Sequence, residues 1–567
     1  MTLTDRERAA DRGASPPIRR ERQVPRADGR LSHNLDPMEQ GPQDRCGVFG
    51  VWARGEDVAK LAYFGLYALQ HRGQEAAGIA VSDGTGVVVY KDLGLVAQVF
   101  DEPTLASLRG HIAVGHTRYS TTGSSNWENA QPTLRATMVG SDDRPATTIA
   151  LAHNGNLVNT AELYRQVQEL GLVDDATSDT ALVATLLASR PDLSVEAAAL
   201  ELLPKLRGAF SFVFMDEETL YAARDPQGVR PLVLGRIERG WVVASETAAL
   251  ETVGASFVRE VEPGELLSIG DDGLRSTRFA SPDPKGCLFE YVYLARPDSV
   301  ISGRNVYAAR VAVGRTLARE HPVDADIVIG VPESGIPAAI GYAEASGIPY
   351  SAGLVKNAYV GRTFIQPSQT IRELGIRLKL NPLREIVRGK RVIMVDDSIV
   401  RGNTQRAQVR LLREAGAVAV HVRISSPPVM WPCFYGIDFA TRAELIANGL
   451  DTEGIRASIG ADSLGYVSLE GLIAATEQPR TRLCRACFDG EYPIDLPADG
   501  MVGKHVLEGV QRRLPVTLTE RGRPTPPATV AERNQPFSPP VAPTPRSLPL
   551  GTPSEQDATP RGAHPHR

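Results

Sequence analysis

The spacing of apolar residues divides the chain into two halves that differ in their predicted pattern of strands and helices. In the first half, short apolar runs typical of strands are separated by turn residues, and helices are predicted only at about 160–170 and 179–205. This pattern predicts stacked, largely antiparallel sheets between flanking helices, an α+β arrangement. The strand-like runs are Cys46–Trp52, Gly78–Val81, Ile112–Gly115, Ile149–His153 and Phe210–Phe214.

The rhythm changes at about 275–290. After this point, the apolar runs Ile327–Val331, Val392–Val395 and Val418–Val422 alternate with predicted helices at about 336–346 and 403–415. Strands that alternate with helices form βαβ units, so the second half is predicted to be an α/β domain with a parallel sheet.

The two ends of the chain lack an apolar period. They are rich in Arg, Asp, Pro and Gly at the start and in Pro at the end, so both are predicted to be disordered. We therefore predict a leader at 1–45, a first domain at 46–280, a second domain at 281–510 and a tail at 511–567.

Composition and charge exclude several classes of protein. The 567 residues are 42% hydrophobic and 23% charged with a net charge of −5, so neither nucleic acid nor a membrane is an expected partner. The N-terminus lacks the apolar segment of a secretory signal, and a cytoplasmic location follows by default. In a reducing compartment, the five cysteines are expected to be catalytic, metal-binding or buried rather than paired in disulfides.

The strongest local signal is the segment 392–404. Four apolar residues predict a buried strand, Asp396 and Asp397 follow at its carboxyl end, and a Ser/Gly/Thr loop leads into a helix. Ligands bind at the carboxyl ends of parallel strands, and a helix start attracts phosphate. The acidic pair can hold ribose hydroxyls, directly or through Mg²⁺. The alternative is an ordinary strand-turn-helix whose acids cap the helix.

This segment resembles the phosphoribosyl pyrophosphate (PRPP) signature of type I phosphoribosyltransferases. Val331–Pro337 resembles the pyrophosphate loop of that family, and Lys356–Arg377 resembles the loop that closes over PRPP. Taken alone, the second of these could equally be a solvated surface loop. The resemblance implies Mg²⁺ ligands at Ser334, Asp396 and Asp397. The PRPP-binding residues that it implies are Ser334, Lys356, Asp396, Asp397, Ser398, Arg401, Gly402 and Thr404.

Cys46 stands at the start of the first strand, directly after the predicted leader. If the chain is cut between Arg45 and Cys46, the new α-amine lies beside the thiol and can take its proton, as in N-terminal nucleophile enzymes. The alternative is a buried strand cysteine, the more common fate of a single thiol.

The sequence from Cys46 to Gly50 resembles the mature start of class II glutamine amidotransferases. The resemblance continues through His71–Glu75, Gly115–Thr121, His153–Asn156 and Ser178–Thr180. It implies that Cys46 is the nucleophile and that Asn154 and Gly155 stabilise the oxyanion. It also implies glutamine-binding roles for Arg118 at the α-carboxylate, Asp179 at the α-ammonium, and Arg72 and Gly73 in the same pocket.

Four further cysteines suit a single tetrathiolate site, although only two of them are close in sequence. Both zinc and a [4Fe–4S] cluster accept four thiolates, while four free thiols or a redox pair are the alternatives. These residues are Cys287, Cys433, Cys484 and Cys487.

Together, the two sets of motifs resemble the glutamine amidophosphoribosyltransferases from about Cys46 to about Gly490. The resemblance implies that ammonia from glutamine passes through the molecule to PRPP and gives 5-phosphoribosylamine, the first committed step of purine synthesis. In the subgroup with a propeptide, cysteines in these contexts bind a [4Fe–4S] cluster. The family further implies a homotetramer inhibited by AMP or GMP.

Two features depart from this family. The leader is long for a propeptide, and a start at Met38 would shorten it to eight residues. The Pro-rich tail has no counterpart in the family core. Two other functions stay open: a PRPP-sensing regulator, which has no need of the Cys46 motifs, and an enzyme that uses only free ammonia, which is indifferent to loss of Cys46.

Overall fold

The computed structural model describes residues 46–119, 127–137, 147–172, 177–357, 380–437 and 442–497. All of them belong to one compact unit that ends at Leu514. The predicted leader, the predicted tail and most of the loop 356–377 lie outside the described residues.

The first half contains two antiparallel sheets. In the first sheet, Gly47–Ala53 pairs with Gly240–Ala244 on one side and with Ile112–Arg118 on the other. The strands of this sheet, from edge to edge, are Ser256–Glu260, Val233–Ile237, Gly240–Ala244, Gly47–Ala53, Ile112–Arg118, Ala76–Ser82 and Val87–Leu93. Those of the second sheet are Gly273–Arg278, Glu265–Gly270, Leu220–Arg224, Gly208–Met215, Thr148–Leu157 and Thr133–Ala136.

The two sheets are stacked, because alternate residues of each strand point between them. Val48, Val114, Ala152 and Val213 belong to a shared apolar core. The opposite face of the first sheet packs against the helix Val58–Ala68. The opposite face of the second sheet is covered by Thr160–Glu169, Asp179–Ala188 and Val195–Leu202. The predicted arrangement of stacked sheets between helices is confirmed.

The predicted helix at 179–205 is wrong as a continuous element. The helix Asp179–Ala188 ends before Pro191, and a second helix, Val195–Leu202, starts after Ser194, whose side chain accepts a hydrogen bond from the backbone of Ala197. Proline disfavours helical geometry in the preceding residue, and serine is a good helix cap, so these residues break the apolar pattern.

The second half contains the predicted parallel sheet. Its strands, in order, are Ile327–Gly330, Arg391–Asp396, Ala419–Ile424 and Ser463–Tyr466. Because all four run in the same direction, their carboxyl ends lie at the same edge of the sheet. The longer helices of this half are Val306–Glu320, Ile336–Ser346, Asn403–Glu414, Thr452–Ile459 and Leu469–Thr476.

Shorter elements complete the described chain. Strand pairs are Gly286–Cys287 with Leu483–Cys484, Val300–Ile301 with Arg304–Asn305, and Leu354–Lys356 with Leu380–Pro382. Short α-helices are Val96–Val99, Glu102–Ser107, Thr247–Thr252, Arg384–Val387, Ile446–Gly449 and Ala486–Asp489. Short 3₁₀ turns are Gln70–Arg72, Leu203–Lys205, Arg442–Glu444 and Arg480–Arg482, and Glu290–Leu294 forms one wider π-helical turn. Over the described ranges, no helix is both long enough and apolar enough to cross a bilayer.

Candidate active sites

Cys46 lies directly before the central strand of the first sheet, and its thiol is buried. Its Sγ donates a hydrogen bond of 3.3 Å to the carbonyl oxygen of Tyr119, which follows the neighbouring strand Ile112–Arg118. Burial raises the pKa of the thiol to about 11, although the charge of nearby Arg118 opposes this rise. At neutral pH the thiol therefore needs a base before it can act as a nucleophile.

Asn154 lies on the strand Thr148–Leu157 of the second sheet. The ring nitrogen Nε2 of His116 donates to the carbonyl oxygen of His153 at 3.1 Å, which ties this strand to the strand that ends at Arg118. The Asn154 side chain is 1% exposed, and among the described residues neither its oxygen nor its nitrogen has a hydrogen-bond partner. A buried amide without a partner is costly, so it marks a place where a ligand completes the hydrogen bonding.

Gly155 follows Asn154 at a point where the backbone is crowded. A Cβ atom on Gly155 would lie 2.0 Å from the carbonyl oxygen of Ala209. Only glycine fits this position, and the chain passes it with a φ of +154°.

Asp179 begins the helix behind the same strand and is buried. Its carboxylate accepts hydrogen bonds from the backbone N–H groups of Leu157 at 3.1 Å and Thr180 at 2.8 Å. Burial alone would raise its pKa, but His153 and these two N–H groups outweigh burial and hold the pKa below its ordinary value. Asp179 therefore stays ionised, and its charge reaches the Cys46 thiol, as does the opposite charge of Arg118.

Arg72 has partners that its sequence motif did not indicate. Its guanidinium is 1% exposed and forms ion pairs with the buried carboxylates of Glu246 and Glu290. The adjacent Gly73 packs on the strand end, where a Cβ atom would lie 2.5 Å from the backbone carbon of Thr117. The predicted contacts of Arg72 and Gly73 with glutamine stay predictions.

The second site lies at the carboxyl edge of the parallel sheet, where the sequence placed it. Asp396 ends the strand Arg391–Asp396, and both it and Asp397 are buried. The hydroxyl of Ser334 donates to Oδ2 of Asp397 at 2.5 Å, and the Ser398 hydroxyl donates to Oδ1 at 2.5 Å. Asp396 accepts a hydrogen bond from the Gln405 amide at 3.2 Å.

Burial raises the pKa of both carboxyl groups, and the charge of Asp397 raises that of Asp396 further. The buried guanidinium of Arg310, on the helix Val306–Glu320, acts on Asp397 in the opposite direction. Sequence patterns missed Arg310, because a single arginine in a helical stretch carries no motif. Two buried acids side by side favour a partner that brings positive charge or hydroxyl donors.

The residues after the acidic pair form a turn into a helix. Gly402 has a φ of +78° and precedes the helix Asn403–Glu414, whose first turn includes Thr404. Its backbone N–H groups and positive dipole end suit a phosphate. The guanidinium nitrogen Nη2 of Arg401 lies 3.3 Å from Oε1 of Glu444. Lys356 is exposed, and its Nζ lies 3.7 Å from Oε2 of Glu333.

The four remaining cysteines come together on three short segments. Cys287 and Cys484 are paired in register in neighbouring strands, Cys487 follows in the helix Ala486–Asp489, and half-buried Cys433 packs against the same core. Burial raises the pKa of all four thiols, and for Cys487 the other three raise it further. In the described part of the chain, no group of three or more His, Cys, Asp or Glu side chains is arranged to hold a single metal ion.

The chain matches models of two protein families. The first is described as a glutamine amidotransferase domain and matches residues 129–252. The second is described as a phosphoribosyl transferase domain and matches residues 305–425. Fold and sites thus define a glutamine amidotransferase joined to a phosphoribosyltransferase.

Whole-chain relatives identify the family. An amidophosphoribosyltransferase of Mycobacterium tuberculosis is 68% identical over 478 residues, which cover 82% of this chain and 90% of the relative. The chain belongs to the amidophosphoribosyltransferase family. Glutamine-dependent amination of PRPP in purine biosynthesis, the predicted reaction, is the reaction of this family.

Two solved structures share the fold over most of their length. One is a glutamine PRPP amidotransferase from B. subtilis complexed with ADP and GMP, with a TM-score of 0.74 and 48% identity, over 80% of this chain and 98% of that one. The other is described as the allosteric regulatory enzyme of purine biosynthesis. Its TM-score is 0.76 and its sequence identity 48%, and the match covers 81% of this chain and 98% of that one.

Proposed function

We propose that Cys46 is the nucleophile that releases ammonia from glutamine in this amidophosphoribosyltransferase. Its sulfur attacks the carboxamide carbon, the carbon–nitrogen bond breaks, and ammonia leaves with the thiol proton. Water then hydrolyses the thioester to glutamate and restores the thiol. The buried Asn154 amide, with no partner among the described residues, is the observation that carries this proposal, since it suits a developing oxyanion.

Two charged side chains near the thiol bind the two charged groups of glutamine. Arg118 pairs with the α-carboxylate of the substrate, and Asp179 pairs with its α-ammonium. The charges of Arg118 and Asp179 both act on the Cys46 thiol, so both side chains lie near enough to the thiol to contact the α-groups of a glutamine bound beside it. The Gly155 backbone N–H is the second oxyanion donor.

Removal of a propeptide supplies the base. A thiol with a pKa of about 11 is protonated at neutral pH, whereas a free α-amine has a pKa near 8. Cleavage between Arg45 and Cys46 places such an amine on the residue that carries the thiol. We therefore place the chain in the subgroup of the family that has a propeptide.

The ammonia passes inside the molecule to the second site, where its lone pair displaces pyrophosphate from C1 of PRPP. Asp396 and Asp397 bind the ribose hydroxyls, while the turn Ser398–Thr404 binds the 5-phosphate. Ser334, Asp396 and Asp397 would hold Mg²⁺, since their oxygens keep lone pairs beyond the hydrogen bonds they form. Bound Mg²⁺ neutralises charge on the leaving pyrophosphate.

The substitution Asn154→Ala tests the glutamine site. We expect the kcat of glutamine-dependent synthesis to fall by about 10²- to 10³-fold, as for the loss of one oxyanion donor. Synthesis from added ammonia should keep its rate. Asn448→Ala, which removes an exposed amide, is the matched control and should leave both rates unchanged. Equal loss of both rates in Asn154→Ala would contradict the assignment.

The four remaining cysteines suit a [4Fe–4S] cluster in this subgroup. Buried thiols that raise one another's pKa favour a ligand that binds thiolates, because metal binding removes the cost of ionising them. A four-iron core is larger than a single ion, so four described cysteines that form no site for a single ion can still suit it. Metal analysis of protein purified without oxygen decides: four irons per chain support the cluster, and one zinc per chain contradicts it.

Nucleotide inhibition fits the same second site. A pocket for the 5-phosphate and ribose of PRPP also fits those of AMP or GMP, and the B. subtilis relative was solved with GMP. A nucleotide that occupies this pocket competes with PRPP, so its inhibition should weaken as PRPP rises. Initial rates across a PRPP series test this, and inhibition that ignores PRPP contradicts it. We expect a homotetramer, which light scattering of the purified protein tests.

A further inference from the structure

One cysteine-bearing segment lies directly against the oxyanion strand. We define the Cys433 segment as residues 433–437, which belong to the second half of the chain. The amide of Asn156, on the strand Thr148–Leu157, donates a hydrogen bond of 3.0 Å from its Nδ2 to the carbonyl oxygen of Phe434. This bond joins residues that are 278 positions apart in sequence.

The backbones of Gly436 and Gly155 are also in close contact. A Cβ atom on Gly436 would lie 3.0 Å from both the carbonyl carbon and the carbonyl oxygen of Gly155, and 3.2 Å from its Cα. These distances are shorter than an ordinary van der Waals contact. Gly436 also has a φ of +106°, which disfavours any other residue. A side chain at 436 would therefore push Gly155 or the segment away.

A third contact, between Arg230 and Tyr435, holds the Cys433 segment in place. The guanidinium of Arg230 is fully buried in the glutaminase half, and its Nε donates to the carbonyl oxygen of Tyr435 at 2.9 Å. On the other side, the Tyr435 N–H donates to Sγ of Cys433 at 3.4 Å, and the Tyr435 hydroxyl donates to the carbonyl oxygen of Ile494 at 2.7 Å. Cys433 and Gly155 are thus connected through Phe434, Tyr435 and Gly436, of which Tyr435 and Gly436 are buried.

We propose that the Cys433 segment is a positioning element for the oxyanion hole of the glutaminase. Whatever holds Cys433 in place thereby also fixes the position of the Gly155 backbone. The inference rests on the proposed role of Asn154 and Gly155 as oxyanion donors. Such donors must be placed closely, since a shift of about 1 Å costs on the order of a hundredfold in rate.

The substitution Gly436→Ala tests this inference. The expected result is a fall of about tenfold to a hundredfold in the kcat of glutamine hydrolysis, with the KM for glutamine within about twofold of wild type, because the groups that bind the amino acid are not displaced. Metal content per chain and ammonia-dependent synthesis should equal those of wild type. A purely structural defect would lower all of these together.

Gly347→Ala is the matched control. Gly347 also has a positive φ, +74°, but a Cβ atom there meets nothing within 4 Å. This variant bears the backbone strain without the contact, so its glutaminase kcat should match wild type. A Gly436→Ala protein with wild-type metal content and wild-type glutaminase kcat would overturn the proposal.

If Gly436→Ala does not fold or loses its metal, Asn156→Ala decides the question, since it removes the bond to Phe434 and leaves Gly436 intact. A lower glutaminase kcat with wild-type metal content supports the proposal, and an unchanged kcat overturns it. Failure of the proposed function on which the inference rests gives a different result: Asn154→Ala would then keep the wild-type glutaminase kcat.

Discussion

The hydroxyl of Ser334 donates a hydrogen bond of 2.5 Å to Oδ2 of Asp397, across 63 positions of sequence. Ser334 belongs to the loop that resembles a pyrophosphate site, while Asp397 belongs to the pair that resembles a ribose site. The bond brings two motifs that were predicted separately to the same edge of the parallel sheet, where one PRPP molecule can reach both.

Removal of this hydroxyl should therefore weaken PRPP binding. We expect Ser334→Ala to raise the KM for PRPP about tenfold or more, since a hydrogen bond to a charged group contributes about 1.5–3 kcal/mol and each 1.4 kcal/mol is a factor of ten. The increase should be the same with glutamine and with ammonia. Steady-state kinetics with both nitrogen sources check it.

Ser346→Ala is the matched control, because that hydroxyl bonds to the backbone of its own helix at 3.4 Å. It should leave the KM for PRPP unchanged. An increase in Ser334→Ala that occurs with glutamine alone would contradict the placement of Ser334 at the PRPP site.

Loss of charge in the acidic pair should be more severe. We expect Asp397→Asn to remove at least 99% of synthesis from both nitrogen sources, because the amide neither neutralises a cation nor accepts from both serine hydroxyls in the same way. Far-UV circular dichroism should stay that of wild type. If the variant keeps synthesis from ammonia, the acids do not bind PRPP.

The mature protein should begin at Cys46. Intact mass of active enzyme is expected to correspond to a chain without the residues before Cys46, because a free α-amine on Cys46 places a base beside this buried thiol. Active enzyme whose mass includes an uncut bond between Arg45 and Cys46 would rule this out, whether translation begins at Met1 or at Met38.

The sequence predicted the residues that motifs mark, and it missed those that only the fold brings together. Cys46, Arg118, Asn154 and Asp179 stand in short motifs with fixed neighbours. The fold brings the charges of Arg118 and Asp179 close enough to act on the Cys46 thiol, and Asn154 lies on a strand of the second, stacked sheet. The acids Asp396 and Asp397 follow a strongly apolar strand, so their place at the sheet edge was predictable.

The buried charges between the two halves were not predictable. Glu246, Glu290 and Arg230 lie in stretches that read as ordinary turns and strands, and each finds its partner more than 50 positions away. The helix Val58–Ala68 was also missed. Its residues are apolar on most sides, so the sequence shows no clear helical period. It also contains Gly65, whose place is set by a contact that only the fold creates, since a Cβ atom there would lie 2.2 Å from the ring of Phe49.

Stability should depend on pH through His116. Burial lowers the pKa of His116 to about 3, and the charge of Arg118 acts in the same direction. Between pH 6.5, the ordinary value, and pH 3 the unfolded chain binds a proton here that the folded chain does not, so acid favours unfolding. This single residue contributes a loss of up to about 1.4 kcal/mol per pH unit.

The variant His116→Gln removes this titration. We expect its denaturation midpoint in urea, measured from pH 7 to pH 5, to fall less steeply than that of wild type as pH decreases. If the midpoints of the two proteins fall equally steeply with pH, His116 takes up a proton in the folded state as it does in the unfolded chain. That result would contradict the claim that His116 stays neutral where it joins the two sheets.

The most direct test of the central claim compares two nitrogen sources in one variant. Cys46→Ala removes the thiol proposed to attack glutamine and leaves the parallel sheet with its PRPP site untouched. With glutamine, synthesis of 5-phosphoribosylamine should fall below detection, while with added ammonia it should proceed at the wild-type rate. Full use of glutamine by Cys46→Ala would contradict the claim, as would loss of synthesis from both sources in a protein that is folded.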